Sequence, residues 1–130
     1  MLITVDDQDR RPIYQQVADE IKNSIARGEL REGQSLPPVR QLAADLGVNL
    51  NTIAVAYREL QNEGLIAIRH GSGAVVLPRG PVRKGDVSAR DDLRKPLRAA
   101  LTQMVLQGMR RGEILTAVSD ELKALLKGAK

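Results

Sequence analysis

The stretch Leu36–Leu65, LPPVRQLAADLGVNLNTIAVAYRELQNEGL, decides the fold. In its first half Val39, Leu42, Ala43 and Leu46 recur at helical spacing and form one apolar stripe, while Arg40, Gln41 and Asp45 point elsewhere. Gly47 then supplies the left-handed residue that ends a helix. Asn49 is suited to cap the next helix, because its side-chain oxygen can accept from one of the amides left unpaired at a helix start. The second stripe is Ile53, Ala56, Tyr57 and Leu60, with a polar back. Two short amphipathic helices joined by a tight glycine turn predict a helix-turn-helix.

Upstream, Pro12 marks a helix start, and Val17, Ile21 and Ile25 recur every four residues, with Tyr14 and Ala18 alongside, up to Gly28. The opposite face, Gln16, Asp19, Glu20, Lys22 and Asn23, is expected to be solvated. Residues 29–35 read as a connection, and Pro37 and Pro38 start the second helix. Met1 to Val5 fits either a short strand or a loose arm. Downstream, Gly64 ends the third helix. Runs at 65–68 and 74–77 then flank His70-Gly71-Ser72-Gly73, which predicts a β-hairpin. Three helices followed by a hairpin is the order of a winged helix.

Pro78, Gly80, Pro81 and Gly85 break all periodicity, and Arg79, Arg83 and Lys84 make that stretch a basic linker. Beyond it Leu93, Leu97, Ala100, Leu101, Met104 and Val105 form an amphipathic helix interrupted near Gly108. A further helix from about Glu113 carries Ile114, Leu115, Val118, Leu122, Leu125 and Leu126. Two helices of this size cannot bury their apolar faces alone, and a two-fold pairing is the common solution. The expected organisation is a winged helix-turn-helix domain over 1–80 with its core at 10–78, a linker at 81–86, and a two-helix dimerisation region at 87–130. The fold class is mainly α with a small β-hairpin wing.

Composition narrows the function. The chain has no Cys and one His, which excludes disulfides, thiolate zinc sites and multi-histidine metal sites. The core is aliphatic, since Phe and Trp are absent and only two Tyr are present. The longest apolar runs span only a few residues, so neither a signal peptide nor a membrane span is expected, and the protein is expected in the cytoplasm. The net charge of +4 suits a nucleic-acid partner. Residues 1–80 nevertheless carry nine Lys/Arg against ten Asp/Glu, and 81–130 carry eleven against six. Any DNA contact by the helix-turn-helix must therefore rest on where single charges sit.

The residues Pro12-Ile13-Tyr14-Gln15-Gln16, Gly28-Glu29-Leu30 with Gly33, Leu36 to Ala43, Val48 to Thr52, Ala56 to Leu60 and Glu63-Gly64-Leu65 resemble the GntR family of bacterial transcription regulators. The short helical tail, in place of a large effector domain, resembles its YtrA subfamily. This resemblance implies a dimeric winged-helix repressor that binds a double-stranded, palindromic operator. It also implies DNA contacts from the arginine at position 40, from the first residues of the third helix and from the wing tip. The expected DNA-binding set is Arg40, Asn49, Leu50, Asn51, Thr52, Arg58, His70 and Gly71.

Each has a plainer alternative. Arg40 can reach a phosphate or a guanine edge, or make a surface salt bridge. Asn49 is first a cap. Asn51, Val55 and Arg58 project opposite the core stripe, where a recognition helix reads bases and an ordinary helix meets water. Tyr57 fills the core, with a phosphate contact as the lesser alternative. His70 and Gly71 suit a wing entering a minor groove, or a plain surface loop. Many family members carry arginine where this chain has Leu50 and Ala54, and serine or threonine where it has Pro38. Readout is therefore expected to lean on Arg40, Asn51, Thr52 and methyl contacts from Leu50 or Val55.

An enzyme is not expected. Gly71-Ser72-Gly73 is too short for a phosphate-cradling loop, no Ser/His/Asp or HExxH arrangement exists, and Asp91-Asp92 and Asp120-Glu121 read as helix surface. No cofactor motif is present. The tail groups no polar residues into a ligand pocket, so a small-molecule effector, of unknown identity, would act at the helical interface or on the spacing of two heads. The alternative function is a winged-helix module for protein–protein assembly without DNA binding.

Overall fold

The computed structural model describes residues 3–69, 73–78 and 87–126, with backbone alone for 87–89. The chain divides into two compact units. The first carries α1 (Ile13–Ala26), β1 (Ser35–Leu36), α2 (Val39–Leu46), α3 (Leu50–Asn62), β2 (Ile66–Arg69) and β3 (Gly73–Val76). The second is built on α4 (Val87–Asp92), α5 (Arg94–Leu106) and α6 (Arg111–Leu125). The expected fold class holds: the chain is mostly helical with one small antiparallel sheet, in winged-helix order. Among the described residues no helix is long and apolar enough to cross a membrane.

In the first unit α1 packs on α3 and α3 on α2. Their stripes meet in one aliphatic core: Val17, Ala18, Ile21 and Ile25 from α1, Leu42 and Ala43 from α2, and Ile53, Ala56, Tyr57 and Leu60 from α3 are all buried. Leu36, Ile66, Ala74 and Val76 close the core from the sheet.

The sheet has three strands, ordered β1-β3-β2 and antiparallel throughout. The expected hairpin is present as β2 and β3, with Ile66 opposite Val76 and Arg69 opposite Gly73. The connection at 29–35 is more ordered than expected. Its end, Ser35–Leu36, pairs with Val75 and Ala74, and Gly33 and Gln34 exchange backbone bonds with Val76 at 2.8 and 2.9 Å. A two-residue strand running into prolines has no periodicity of its own.

One further expectation changes, and one open alternative is settled. Gln16 is not on a solvated face but buried. Its side chain accepts from the Asp6 amide at 2.9 Å and donates to the carbonyls of Asp6 (3.2 Å) and Arg11 (3.1 Å). The amide side chain thus satisfies the backbone of the segment that crosses it. That segment is an arm rather than a strand, with Ile3 and Val5 packed on the core.

In the tail, α5 ends at Gly108 (φ +84°), and the Met109 amide returns to the Met104 carbonyl at 3.1 Å, the six-residue closure of a left-handed helix end. Glu113 reaches back to the Arg110 amide at 3.2 Å and so opens α6 at Arg111, two residues before the expected start. The short α4 was not expected. No residue of α5 or α6 is buried, and Leu93, Leu97, Val105, Leu106, Leu115, Leu122 and Leu126 are each more than half exposed. The expected linker, 81–86, lies outside the described residues.

Candidate nucleic-acid interface

The turn between α2 and α3 is fixed by local chemistry. Gly47 adopts φ +67°, the Gly47 amide donates to the Ala44 carbonyl at 3.2 Å, and the Val48 amide donates to Ala43 at 3.0 Å. Asn49 then caps α3: its Oδ1 accepts from the Asn51 amide at 2.7 Å, and its carbonyl accepts from Thr52 at 3.0 Å. Its side-chain oxygen is therefore committed to the helix start. From that start a 100° step per residue sets Asn51, Val55 and Arg58 along one line, opposite the buried Ile53, Ala56, Tyr57 and Leu60. Asn51 and Arg58 are exposed, and Thr52, Ala54 and Val55 are half-buried at the flanks. Leu50, the first helical residue, is 42% exposed, an apolar side chain presented at the end of the helix that a groove would receive.

Arg40 is the second residue of α2 and is exposed. Among the described residues the ion pairs are Arg11 with Asp9 and Asp19, Lys22 with Glu63, and Arg27 with Glu29. Neither Arg40 nor Arg58 takes part in these, and both are exposed. Lys22 of α1 and the flanking Arg11 and Arg27 are engaged with carboxylates, whereas among the described residues Arg40 of α2 and Arg58 of α3 are not.

The wing is tied to the same helix. The Gln61 side chain accepts from the Ile68 amide at 2.8 Å, so β2 is held against α3 along its length and not only where it begins. Arg69 ends β2 on the exposed side and adds a cation that sequence reasoning did not single out. No periodic signal marks it, since β2 runs from buried Ile66 through half-buried Ala67 to exposed Ile68 and Arg69 rather than alternating. His70 and Gly71 lie outside the described residues. Tyr57 fills the core as expected: its ring is buried, and its hydroxyl donates to the Pro37 carbonyl at 2.7 Å, a partner the sequence did not indicate. Burial pushes the phenol well above the ordinary tyrosine range, so it stays a neutral donor. A group so engaged is not offered to a phosphate.

Among the described residues no cluster of His, Asp or Glu is arranged to hold a metal ion.

Comparison with known proteins agrees with this geometry. The family model "Bacterial regulatory proteins, gntR family" matches residues 13–76, from the start of α1 to the end of β3. The chain is 33% identical to the uncharacterized HTH-type transcriptional regulator YhcF of Bacillus subtilis, over 85% of this chain and 90% of that one. It is 36% identical to the HTH-type transcriptional repressor YtrA of the same organism, over 58% of each chain. Among solved structures, a transcriptional antiterminator from Listeria monocytogenes superposes with a TM-score of 0.86 at 25% identity, covering 97% of this chain and 93% of that one. YtrA from Sulfolobus acidocaldarius, a GntR-family transcription factor, gives 0.64 at 37% identity, covering 78% and 99%. AraR(DBD) in complex with operator ORX1 gives 0.52 at 30% identity, covering 58% and 98%. These relatives are regulators of transcription rather than enzymes. With the family model covering the whole winged helix and a relative matched over nearly its full length, the chain belongs to the GntR family of bacterial transcription regulators.

Proposed function

We propose that the protein is a dimeric repressor that binds a palindromic operator in the cytoplasm. Residues 1–80 form the DNA-binding head, 81–86 the linker and 87–130 the dimerisation region. The observation that carries the reading is the exposure of Asn51 and Arg58 along one line of α3, together with an exposed Arg40 at the start of α2 that joins no ion pair among the described residues. Asn51 and Thr52 read base edges, Leu50 and Val55 offer methyl contacts, and Arg40, Arg58 and the wing residues His70 and Gly71 set register on the backbone. Asn49 contributes by fixing the helix start from which the others project. The operator complex of AraR(DBD), a structural neighbour, supports the same use of this fold.

The dimer reading rests on the tail. Leu97, Leu101, Val105, Ile114, Leu115 and Val118 line an open apolar groove of about 540 Å³ between α5 and α6, and a second copy supplies the matching face. Apolar area of this kind stabilises an assembly by roughly 25 cal/mol per Å² removed from water. Two heads on one dimer then require two half-sites, roughly one helical turn apart or farther. The test is a fluorescence anisotropy titration with random duplex DNA at two salt concentrations. Binding that weakens at the higher salt is expected, and absence of salt-dependent binding refutes the DNA reading.

A further inference from the structure

The segment Leu36-Pro37-Pro38 is held from two sides just before α2 begins. From below, the Tyr57 hydroxyl donates to the Pro37 carbonyl at 2.7 Å. From above, Gly73, the first residue of β3, lies so close that a Cβ built on it would stand 2.6 Å from the Leu36 oxygen, 3.1 Å from the Pro38 nitrogen and 3.2 Å from the Pro37 carbonyl carbon. Leu36 also pairs with Ala74 across the sheet. Pro38, in extended geometry (φ −57°, ψ 152°), leads straight into α2, and its carbonyl accepts from Leu42 at 3.0 Å as the first helical bond. Arg40 follows two residues later.

We infer that Tyr57 is a positioning residue for DNA binding: by clamping Pro37 against Gly73 it fixes the start of α2, and thus Arg40, relative to α3 and the wing strand β3. The inference rests on the reading that Arg40 contacts DNA. The Gln61–Ile68 bond ties α3 to the wing, and the Tyr57–Pro37 bond ties α3 to the start of α2; the facing stripes of α2 and α3 otherwise meet through aliphatic packing, which is less directional than a hydrogen bond. Pro37 itself lies outside α2, so its carbonyl has no partner within the helix, and the Tyr57 hydroxyl satisfies it. Tyr57 sits on the core side of α3, opposite Asn51 and Arg58, so it acts without touching DNA.

The test uses Tyr57→Phe, which removes one oxygen and keeps the ring, in the full-length protein. Affinity is measured by anisotropy for a duplex that the parent protein selects from a random pool, in a cycle with Arg40→Ala. Tyr57→Phe is expected to weaken binding about three- to tenfold in the parent, in keeping with loss of one hydrogen bond, and to add almost nothing in the Arg40→Ala background. Amide exchange at Leu42 in free Tyr57→Phe protein is expected to be faster than in the parent, with α1 unchanged. If Arg40→Ala is weakened while Tyr57→Phe binds as the parent does, the inference about Tyr57 is overturned. The same holds if Tyr57→Phe weakens both backgrounds equally, as general destabilisation would. If Arg40→Ala binds as the parent does, the DNA role of Arg40 fails, and the inference falls with it.

Discussion

Replacing Gly73 by Ala should destabilise the head more than an ordinary left-handed glycine replacement, because two separate costs coincide there. The residue has φ +81°, a conformation that costs an L side chain about 1–2 kcal/mol. The new Cβ also meets the Leu36 carbonyl oxygen at 2.6 Å, and that oxygen belongs to backbone held by the β1–β3 pairing and by Tyr57 through Pro37. Overpacking against atoms that cannot retreat adds about 1–3 kcal/mol. Reduced freedom of the unfolded chain returns about 0.4–1 kcal/mol. The balance is a loss of about 2–4 kcal/mol. Gly47 is the internal control: it has φ +67° with nothing within 4 Å of its Cβ, so Gly47→Ala bears the conformational cost alone, about 1 kcal/mol. The assay is urea unfolding of both variants followed by far-ultraviolet circular dichroism, comparing midpoints at constant slope. A Gly73→Ala loss no larger than that of Gly47→Ala refutes the close contact, and with it one side of the clamp on α2.

Asn49→Ala removes the acceptor of the Asn51 amide and should cost about 1 kcal/mol in the same urea assay, whereas Asn51→Ala should leave stability nearly unchanged and erode discrimination between operator and random duplex. Tyr57 is a buried acid whose folded pKa is raised, so its stability contribution is complete below the unfolded value, about 10, and declines as pH rises above it; Tyr57→Phe should flatten that alkaline loss in melting curves taken between pH 9 and pH 11. The double substitution Leu97→Asp with Leu115→Asp places charges on the exposed tail face and should convert a dimer to a monomer in sedimentation, with the head still folded; a persistent dimer would place the interface elsewhere.

The helix-turn-helix was legible because its information is local. Stripes at helical spacing, Gly47 and the Asn49 cap lie within a few residues of the structure they determine, and Ile53, Ala56, Tyr57 and Leu60 are buried as their spacing implied. What was missed depends on distant partners. Ser35 and Leu36 become a strand only because Val75 and Ala74 stand opposite, some forty residues later. Gln16 looks like surface by periodicity, yet it is buried by an arm whose backbone it satisfies. Helices α5 and α6 were legible in their stripes, although the Glu113 cap moved the second helix upstream. Of the candidate interface, Asn51 and Arg58 were marked by helical projection and Arg40 and Leu50 by the family resemblance, and all four are exposed, whereas Arg69 needed the strand register to be noticed. The link from Tyr57 to Pro37 spans twenty residues and has no periodic signature.

We propose that a dimer of this chain reads DNA through α3, with Arg40 fixing its register. The most direct measurement is selection of duplexes from a random pool, followed by titration of the winning sequence at several salt concentrations. The account predicts a two-fold symmetric motif, with affinity falling linearly in log salt by about 0.9 per phosphate contact, and a shallower slope or relaxed motif for Arg40→Ala. Enrichment of no motif, with no salt-dependent binding to any duplex, would contradict it.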